Sequence, residues 1–518
     1  MNLDCHYRTY RITLHPRGEV LTARPGEVLK DTLERGGISF PNNCGGKGLC
    51  RGCRVEYLTS PPPPTELERR WFAEESLCRM ACQHCVENDL SLRVTASIES
   101  GRYKRLSGFR LPGGGSGGLI AVDLGTTTVA VYLFELNKGE LFGWRSFLNP
   151  QIVQGGDVMS RLTAARDISS LRELSDSIRQ RLAKEIHCLL NAAGIAAQEV
   201  QAVTIAGNTA MTHFWRGESG SGLGRAPFRS TLEGEGALSF DPSWLGLPNC
   251  CHCLTLPVLG GFIGGDTTAA ILSAGLDEPG ETRLLIDLGT NGEIVLAVGE
   301  SIWAASTAAG PAFEGVGMSA GMPAVAGAIE AVKPDGTPIV IGDTAPLGFC
   351  GSGYISALAF LLDQNLLTPG GLLARDESGQ RRWTPDSTLN LCPYIVQDDI
   401  RLFQLAKGAI AAGIDILCNE ADILPLQIER LILTGSFGYC IDTSASVRLG
   451  LIPALPPTRI YPLDNAAGRG AALFGNDVSV RERAESLPRR IRVVNLGDHP
   501  RFQELFVERM SLGTLTGG

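Results

Sequence analysis

The chain has 518 residues, 44% hydrophobic and 19% charged, enough for two or three domains with cores of their own. Its net charge of -9 argues against nucleic acid as a partner, and no apolar run approaches the ~20 residues that cross a bilayer. MNLDCHYRTY lacks the apolar core of an export signal; with 15 cysteines in the chain, this points away from a disulfide scaffold and towards metal binding in the cytoplasm.

Residues 8–23, RTYRITLHPRGEVLTA, alternate in polarity and turn at Pro16-Arg17-Gly18, which predicts a β-hairpin. EVLKDTLERGGI follows, with Val28, Leu29 and Leu33 on one helical face and Gly36-Gly37 as the stop. After a cysteine loop comes the strand-like RVEYL. This order predicts a small β-grasp module.

The loop itself, CGGKGLCRGC, places Cys44, Cys50 and Cys53 in a C-x5-C-x2-C pattern. Glycines at 45, 46, 48 and 52 let the backbone wrap closely and aim N–H groups at inorganic sulfide. A zinc site would show two C-x2-C pairs, and a thioredoxin-type pair would not need Cys44. The fourth ligand of an iron–sulfur loop is expected further on, where LCRMACQHC offers Cys78, Cys82 and Cys85.

SGFRLPGGGSGG, at 107–118, reads as a linker. Beyond it, LIAVDLGTTTVAVYLFEL is strand, polar turn, strand, and LLIDLGTNGEIVLAV at 284–298 repeats the design. The repeat predicts duplicated α/β subdomains. A stripe of Leu171, Leu174, Ile178, Leu182, Ile186 and Leu190 predicts a core-facing helix.

Turns of the D-x-G-T type offer small residues and backbone N–H groups to phosphate oxygens, and an aspartate at the strand end can orient Mg²⁺ directly or through water. The first candidate loop is Asp123, Leu124, Gly125, Thr126, Thr127 and Thr128; the second is Asp287, Leu288, Gly289, Thr290, Asn291 and Gly292. LILTGSFGYC adds a strand, Leu431–Thr434, and a turn, Gly435, Ser436, Phe437 and Gly438, against which an adenosine could lie. Asn208 in AGNTAMTH and Asp266 in GGFIGGDTTAA are further candidates, Asp266 to position water or Mg²⁺ or to cap its helix. His213 is read as a core histidine, and CGSG at 350–353 as structural or adenosine-side rather than catalytic. NCCHCL, with Cys250, Cys251, His252 and Cys253, lacks a complementary pair nearby and is not read as a metal site.

Three resemblances sharpen this reading. RMACQ is similar to the closing motif of adrenodoxin-like [2Fe–2S] ferredoxins, which implies Cys82 as the fourth ligand beside Cys44, Cys50 and Cys53. The two DLGT loops followed by TGSFG resemble the acetate kinase, sugar kinase, heat-shock chaperone and actin superfamily, which implies an ATP cleft between two halves. Together with NPQIVQGGDVMSRL, AGNTAM, QDDIRLFQLAKGAI and DNAAGRGAAL, these landmarks resemble the ATP-dependent reductive activators of corrinoid proteins nearly end to end.

The implied architecture is multidomain, α/β and α+β: a β-grasp [2Fe–2S] ferredoxin domain at 1–97, a flexible Gly-rich linker at 98–118, a duplicated ribonuclease-H-like ATPase domain of actin and sugar-kinase type at 119–480, and an extension at 481–518. The implied cofactors are a [2Fe–2S] cluster, ATP and Mg²⁺. Asp123, Asp287 and Asp266 are the expected catalytic carboxylates. The implied activity returns cob(II)alamin of a methyltransferase or demethylase corrinoid protein to cob(I), using a low-potential electron donor, with a homodimer left open. Two alternatives remain: a small-molecule kinase governed by an iron–sulfur sensor, and an activator of another low-potential enzyme such as a radical dehydratase.

Overall fold

The computed structural model describes residues 9–15, 18–36, 38, 40, 46, 48, 51–70, 72, 76–94, 106–249, 251–289, 291–315, 317–342, 344–385, 393–438 and 440–514. The chain divides into two compact units, 1–102 with 311–403, and 103–310 with 404–518. Among the described residues no helix is long and apolar enough to cross a membrane.

The first unit opens with the expected hairpin, Tyr10–His15 antiparallel to Glu19–Ala23. Leu90–Val94 runs parallel to the first strand and antiparallel to Arg54–Tyr57, whose other edge takes Cys78–Met80. The helix Leu29–Arg35 buries Leu29, Thr32 and Leu33, begins after Val28 and ends at Gly36. Its leucines meet Ile12, Leu14, Phe40, Val55, Met80 and Leu92 in one core. This is a β-grasp module. The same unit holds a segment inserted far along the sequence: Ala328–Val332 between Pro338–Val340 and Gly348–Phe349, covered by the helix Gly351–Asp363.

The second unit is built from two sheets of one design. In the first, Gly118–Leu124, Thr128–Glu135 and Glu140–Leu148 form an antiparallel meander, with Val200–Gly207 and then His252–Thr255 parallel on the other side. In the second, Gly280–Leu288, Gly292–Gly299 and Ser301–Thr307 form the meander, and Arg430–Thr434 and Ile460–Pro462 continue it in parallel. The duplication expected from the two DLGT stretches is therefore a repeated ribonuclease-H-like sheet. The helix Ile168–Ala193 lays its leucine and isoleucine stripe on the first sheet, starting at an Asp167 cap and stopping at Gly194 in left-handed backbone. The helices Gly265–Ala274 and Ala466–Asn476 cross so closely that a Cβ on Gly470 would lie 1.9 Å from the Ala269 carbonyl.

Two segments expected to stand apart are joined to this unit. Within the stretch read as a flexible linker, Leu106 and Leu111 are anchored at 4% exposed while residues 112–116 stay exposed, and Arg469 and Asn476 donate to the carbonyls of Ser107 and Pro112. The two leucines supply apolar anchors that a Gly- and Pro-rich reading overlooks. Residues 98–105 lie outside the described residues. In the stretch read as an extension, Ile491–Val493 adds a parallel strand beside Ser301–Thr307, and Lys407 donates to the carbonyls of Arg509 and Ser511.

Candidate functional site

Cys44 and Cys50 lie outside the described residues. Cys53 is 3% exposed and leads directly into the strand Arg54–Tyr57. Its carbonyl accepts from the Ala81 N–H at 2.9 Å, which brings the single turn Ala81–Gln83 alongside. There the Cys82 N–H donates to Cys53 Sγ at 3.4 Å, and Gln83 Nε2 reaches Cys82 Sγ at 3.4 Å and the Gly46 carbonyl at 3.1 Å. Amide donors aimed at sulfur stabilise thiolate charge and tune a cluster held by it. Cys78 instead begins an edge strand, its thiol pushed up by burial, and Cys85 is exposed. The described half of the loop thus has the donor chemistry that a thiolate-held [2Fe–2S] cluster requires.

A brace behind this turn was not foreseen. Glu68, fully buried, accepts from the Met80 N–H at 2.6 Å and the Thr65 N–H at 2.9 Å and pairs with His84 at 2.8 Å. Burial would raise its carboxyl, but His84 and the two amides hold it below the ordinary range.

In the second unit, Asp123 ends the strand Gly118–Leu124 and is 5% exposed. The turn after it is held by its carbonyls. Asn149 takes those of Gly125, through Nδ2 at 2.9 Å, and Thr127, through its N–H at 2.8 Å, while Arg161 Nη2 takes that of Thr126 at 2.7 Å. Arg161 is fully buried, also donates to the Gly155 carbonyl at 2.8 Å, and is lowered by burial to about 10. Asn208 caps the helix Thr209–Arg216 and donates to Thr126 Oγ1 at 2.9 Å, so two candidate residues meet. Gly264 packs on the Asn208 backbone, and Asp266 follows in the first turn of the next helix, accepting from the Thr267 N–H at 2.8 Å.

The second loop comes near Asp266, whose charge acts on Glu293. Asp287 stands opposite Glu293 across the hairpin and beside Thr434 in the parallel ladder. Gly289 N–H donates to the Asn291 carbonyl at 3.0 Å; Thr290 lies outside the described residues. A side chain on Gly292 would press on Ile410 and Thr307. Glu293 was missed as a site residue, yet burial and the carboxylates of Asp266 and Asp287 raise its carboxyl well above the ordinary range. Gly435 to Gly438 form a single helical turn rather than an open one, with Phe437 buried. Gly435 sits at φ +95°, where a Cβ would lie 2.3 Å from Asp287 Oδ1. Behind the first loop, Tyr132 hydroxyl accepts from Asn465 Nδ2, and burial and Asp123 raise its pKa.

Other sequence candidates resolve as structural. His213 is 1% exposed, bonds Ser230 at 2.9 Å and is lowered by burial. Cys251 and Cys253 lie in the core of the first sheet with sulfurs 3.8 Å apart, His252 is exposed, and Cys250 lies outside the described residues. Among the described residues no group of three His, Cys, Asp or Glu side chains is arranged to hold a metal ion.

Comparison with known proteins matches this plan. A 2Fe-2S iron–sulfur cluster binding domain matches residues 12–87, the RACo middle region residues 118–279, and the C-terminal domain of RACo, the ASKHA domain, residues 281–516. The chain is 34% identical over 417 residues to the corrinoid activation enzyme RamQ of Eubacterium limosum, covering 76% of this chain and 70% of that protein. It is 32% identical over 230 residues to the Co(II) methylated amine-specific corrinoid protein reductase of Methanosarcina barkeri, covering 39% of this chain and 41% of the relative. A solved structure, a reductive activator for corrinoid, iron–sulfur protein, shares the fold with a TM-score of 0.66 at 21% identity, covering 98% of this chain and 99% of that one. The chain belongs to the family of reductive activators of corrinoid proteins that join a [2Fe–2S] domain to an ASKHA ATPase domain.

Proposed function

We propose that this chain, in the cytoplasm, passes one electron from a [2Fe–2S] cluster to the cob(II)alamin of a corrinoid partner, giving cob(I), with ATP hydrolysis as the source of free energy. One observation carries this reading. A single chain holds both the amide-to-sulfur contact of Cys82 and Cys53 and the paired loops at Asp123 and Asp287.

Cys44, Cys50, Cys53 and Cys82 would hold the cluster, which supplies a low-potential electron. Asn149 and Arg161 occupy the carbonyls of the first loop, leaving the N–H groups of Gly125, Thr126 and Thr127 as its polar face towards phosphate. Asp123 and Asp287 would orient Mg²⁺, which would offset the charge of the triphosphate. Asp266 would position the attacking water. Gly289, Thr290, Asn291 and Gly292 would line the second phosphate side, and Gly435, Ser436, Phe437 and Gly438 the adenosine side, while Asn208 holds the Thr126 hydroxyl of the first loop.

The energetics are consistent with coupling. A one-electron gap of ~100–200 mV amounts to ~2–5 kcal/mol, and a two-state closure biased by a ligand supplies ~5 kcal/mol. The test is a titration of the reduced protein, with Mg-ATP, against a cob(II) corrinoid protein. The reading requires one cob(I) formed for each cluster reoxidised. Cluster reoxidation without cob(I), or phosphate transfer to a small acceptor, would favour the kinase-with-sensor alternative.

A further inference from the structure

Arg51 and Arg54 flank Cys53 in the sequence, and both are buried, at 2% and 6% exposed. Arg51 adopts left-handed backbone, φ 54°, uncommon for a residue with a side chain. Its guanidinium donates to the carbonyls of Leu347 and Ser319, the latter at 3.2 Å. Arg54 Nη2 donates to the Ala326 carbonyl at 3.0 Å. All three acceptors belong to the inserted segment of the same unit, 311–403.

That segment presents a prepared seat. Ser319 N–H is held by Asp399 Oδ1 at 2.6 Å, Ala320 N–H donates to the Tyr354 hydroxyl at 3.2 Å, and Phe349 N–H donates to the Ala320 carbonyl at 2.8 Å. Where the guanidinium passes, the chain has Gly348; a Cβ there would lie 2.8 Å from Arg51 Nη1 and 2.6 Å from the Ala320 carbonyl. Burying two cations is unfavourable unless fixed acceptors meet them, and the planar fork of Arg51 spans two carbonyls in a way one ammonium does not.

We propose that Arg51 and Arg54 are positioning residues for the electron transfer: they seat the cluster loop on residues 319–348, so that the iron–sulfur module and the inserted segment act as one body. This rests on the reading of the Cys44–Cys82 loop as the cluster site. Both arginines act through the cysteines beside them.

The test uses the full-length holoprotein as the Arg51→Ala, Arg54→Ala double variant, as Arg51→Lys, and as Gly348→Ala, which presses on the Arg51 guanidinium from the seat side without replacing any residue of the loop. Hydrogen–deuterium exchange is followed by mass spectrometry at 319–349 and 54–58, the cluster by its visible and EPR spectra, and cob(I) formation with a corrinoid partner. In the double variant, exchange at 319–349 should quicken about tenfold or more, the cluster should remain, and cob(I) formation should slow by a similar factor. Arg51→Lys should recover part of both effects, and Gly348→Ala should quicken exchange at 54–58. Unchanged exchange at 319–349 in the double variant, or unchanged exchange at 54–58 in Gly348→Ala, would overturn the seat. Faster exchange with an unchanged or higher rate of cob(I) formation would overturn the positioning role. Absence of cluster spectra from the unaltered protein would instead overturn the reading of the cysteine loop.

Discussion

Replacing Gly435 with alanine puts a methyl at φ +95°, 2.3 Å from Asp287 Oδ1 and 2.5 Å from the Leu288 carbonyl. Ordinary van der Waals contact begins at 3.4 Å, so each of the two contacts has to open by about 1 Å. Leu288 is paired with Gly292 at the end of the hairpin ladder, which leaves the Asp287 carboxylate as the softer partner. Displacement of a catalytic group by about 1 Å costs on the order of 10²-fold in rate, or ~2.7 kcal/mol of barrier. The left-handed backbone adds ~1–2 kcal/mol against folding. The assay is ATP hydrolysis at saturating Mg-ATP, with the visible spectrum of the cluster as an internal control and urea unfolding for stability. The expected result is kcat lower by about 100-fold, a modest loss of stability and an unaltered cluster. Hydrolysis within about threefold of the parent would refute the placement of Asp287 in the reaction.

Arg161→Met keeps the volume but strands the carbonyls of Thr126 and Gly155, each at ~1–3 kcal/mol. Urea unfolding should show about that loss, and calorimetry an ATP affinity at least about tenfold weaker; unchanged affinity would contradict the role of the guanidinium in shaping the loop. Cys82→Ala should strip or destabilise the cluster while Cys78→Ala retains it, read from visible absorption; the reverse pattern would move the fourth ligand. Lys407, fully buried, is brought down to about 7 by burial and by Arg509, whereas the unfolded lysine keeps its proton to ~10.4. The unfolded chain therefore binds more protons between about pH 7 and 10, and stability rises with pH across that window. Lys407→Met should flatten the rise in urea midpoints, and an unchanged slope would count against the depressed ammonium.

Local chemistry was legible in the sequence. The two DLGT stretches announce their hairpins because the whole device, strand, turn and strand, is contiguous. The helix stripe from Leu171 to Leu190 and the Val28-to-Gly36 helix were readable for the same reason. Contacts between distant segments were not. The carbonyls that receive Arg51 lie 268 and 296 residues away, and no periodicity marks a backbone acceptor. Arg161 and Asn149 act on the first loop from other elements, a helix interior and a cap, so nothing in the loop's own residues points to them. Glu293 did carry a signal: directly opposite Asp287 in a hairpin, it must share that residue's face of the sheet. The Gly-rich run at 113–118 suggested mobility, but Leu106 and Leu111, just ahead of it, anchor the stretch.

The central claim is that the nucleotide cleft drives the electron transfer. The direct measurement is the cobalt absorption spectrum of a cob(II) corrinoid protein mixed with the reduced protein and one donor, with and without Mg-ATP. The account predicts conversion to cob(I) with Mg-ATP and little without it, and loss of that dependence on ATP in Gly435→Ala. Equal yields of cob(I) in the two mixtures would contradict it.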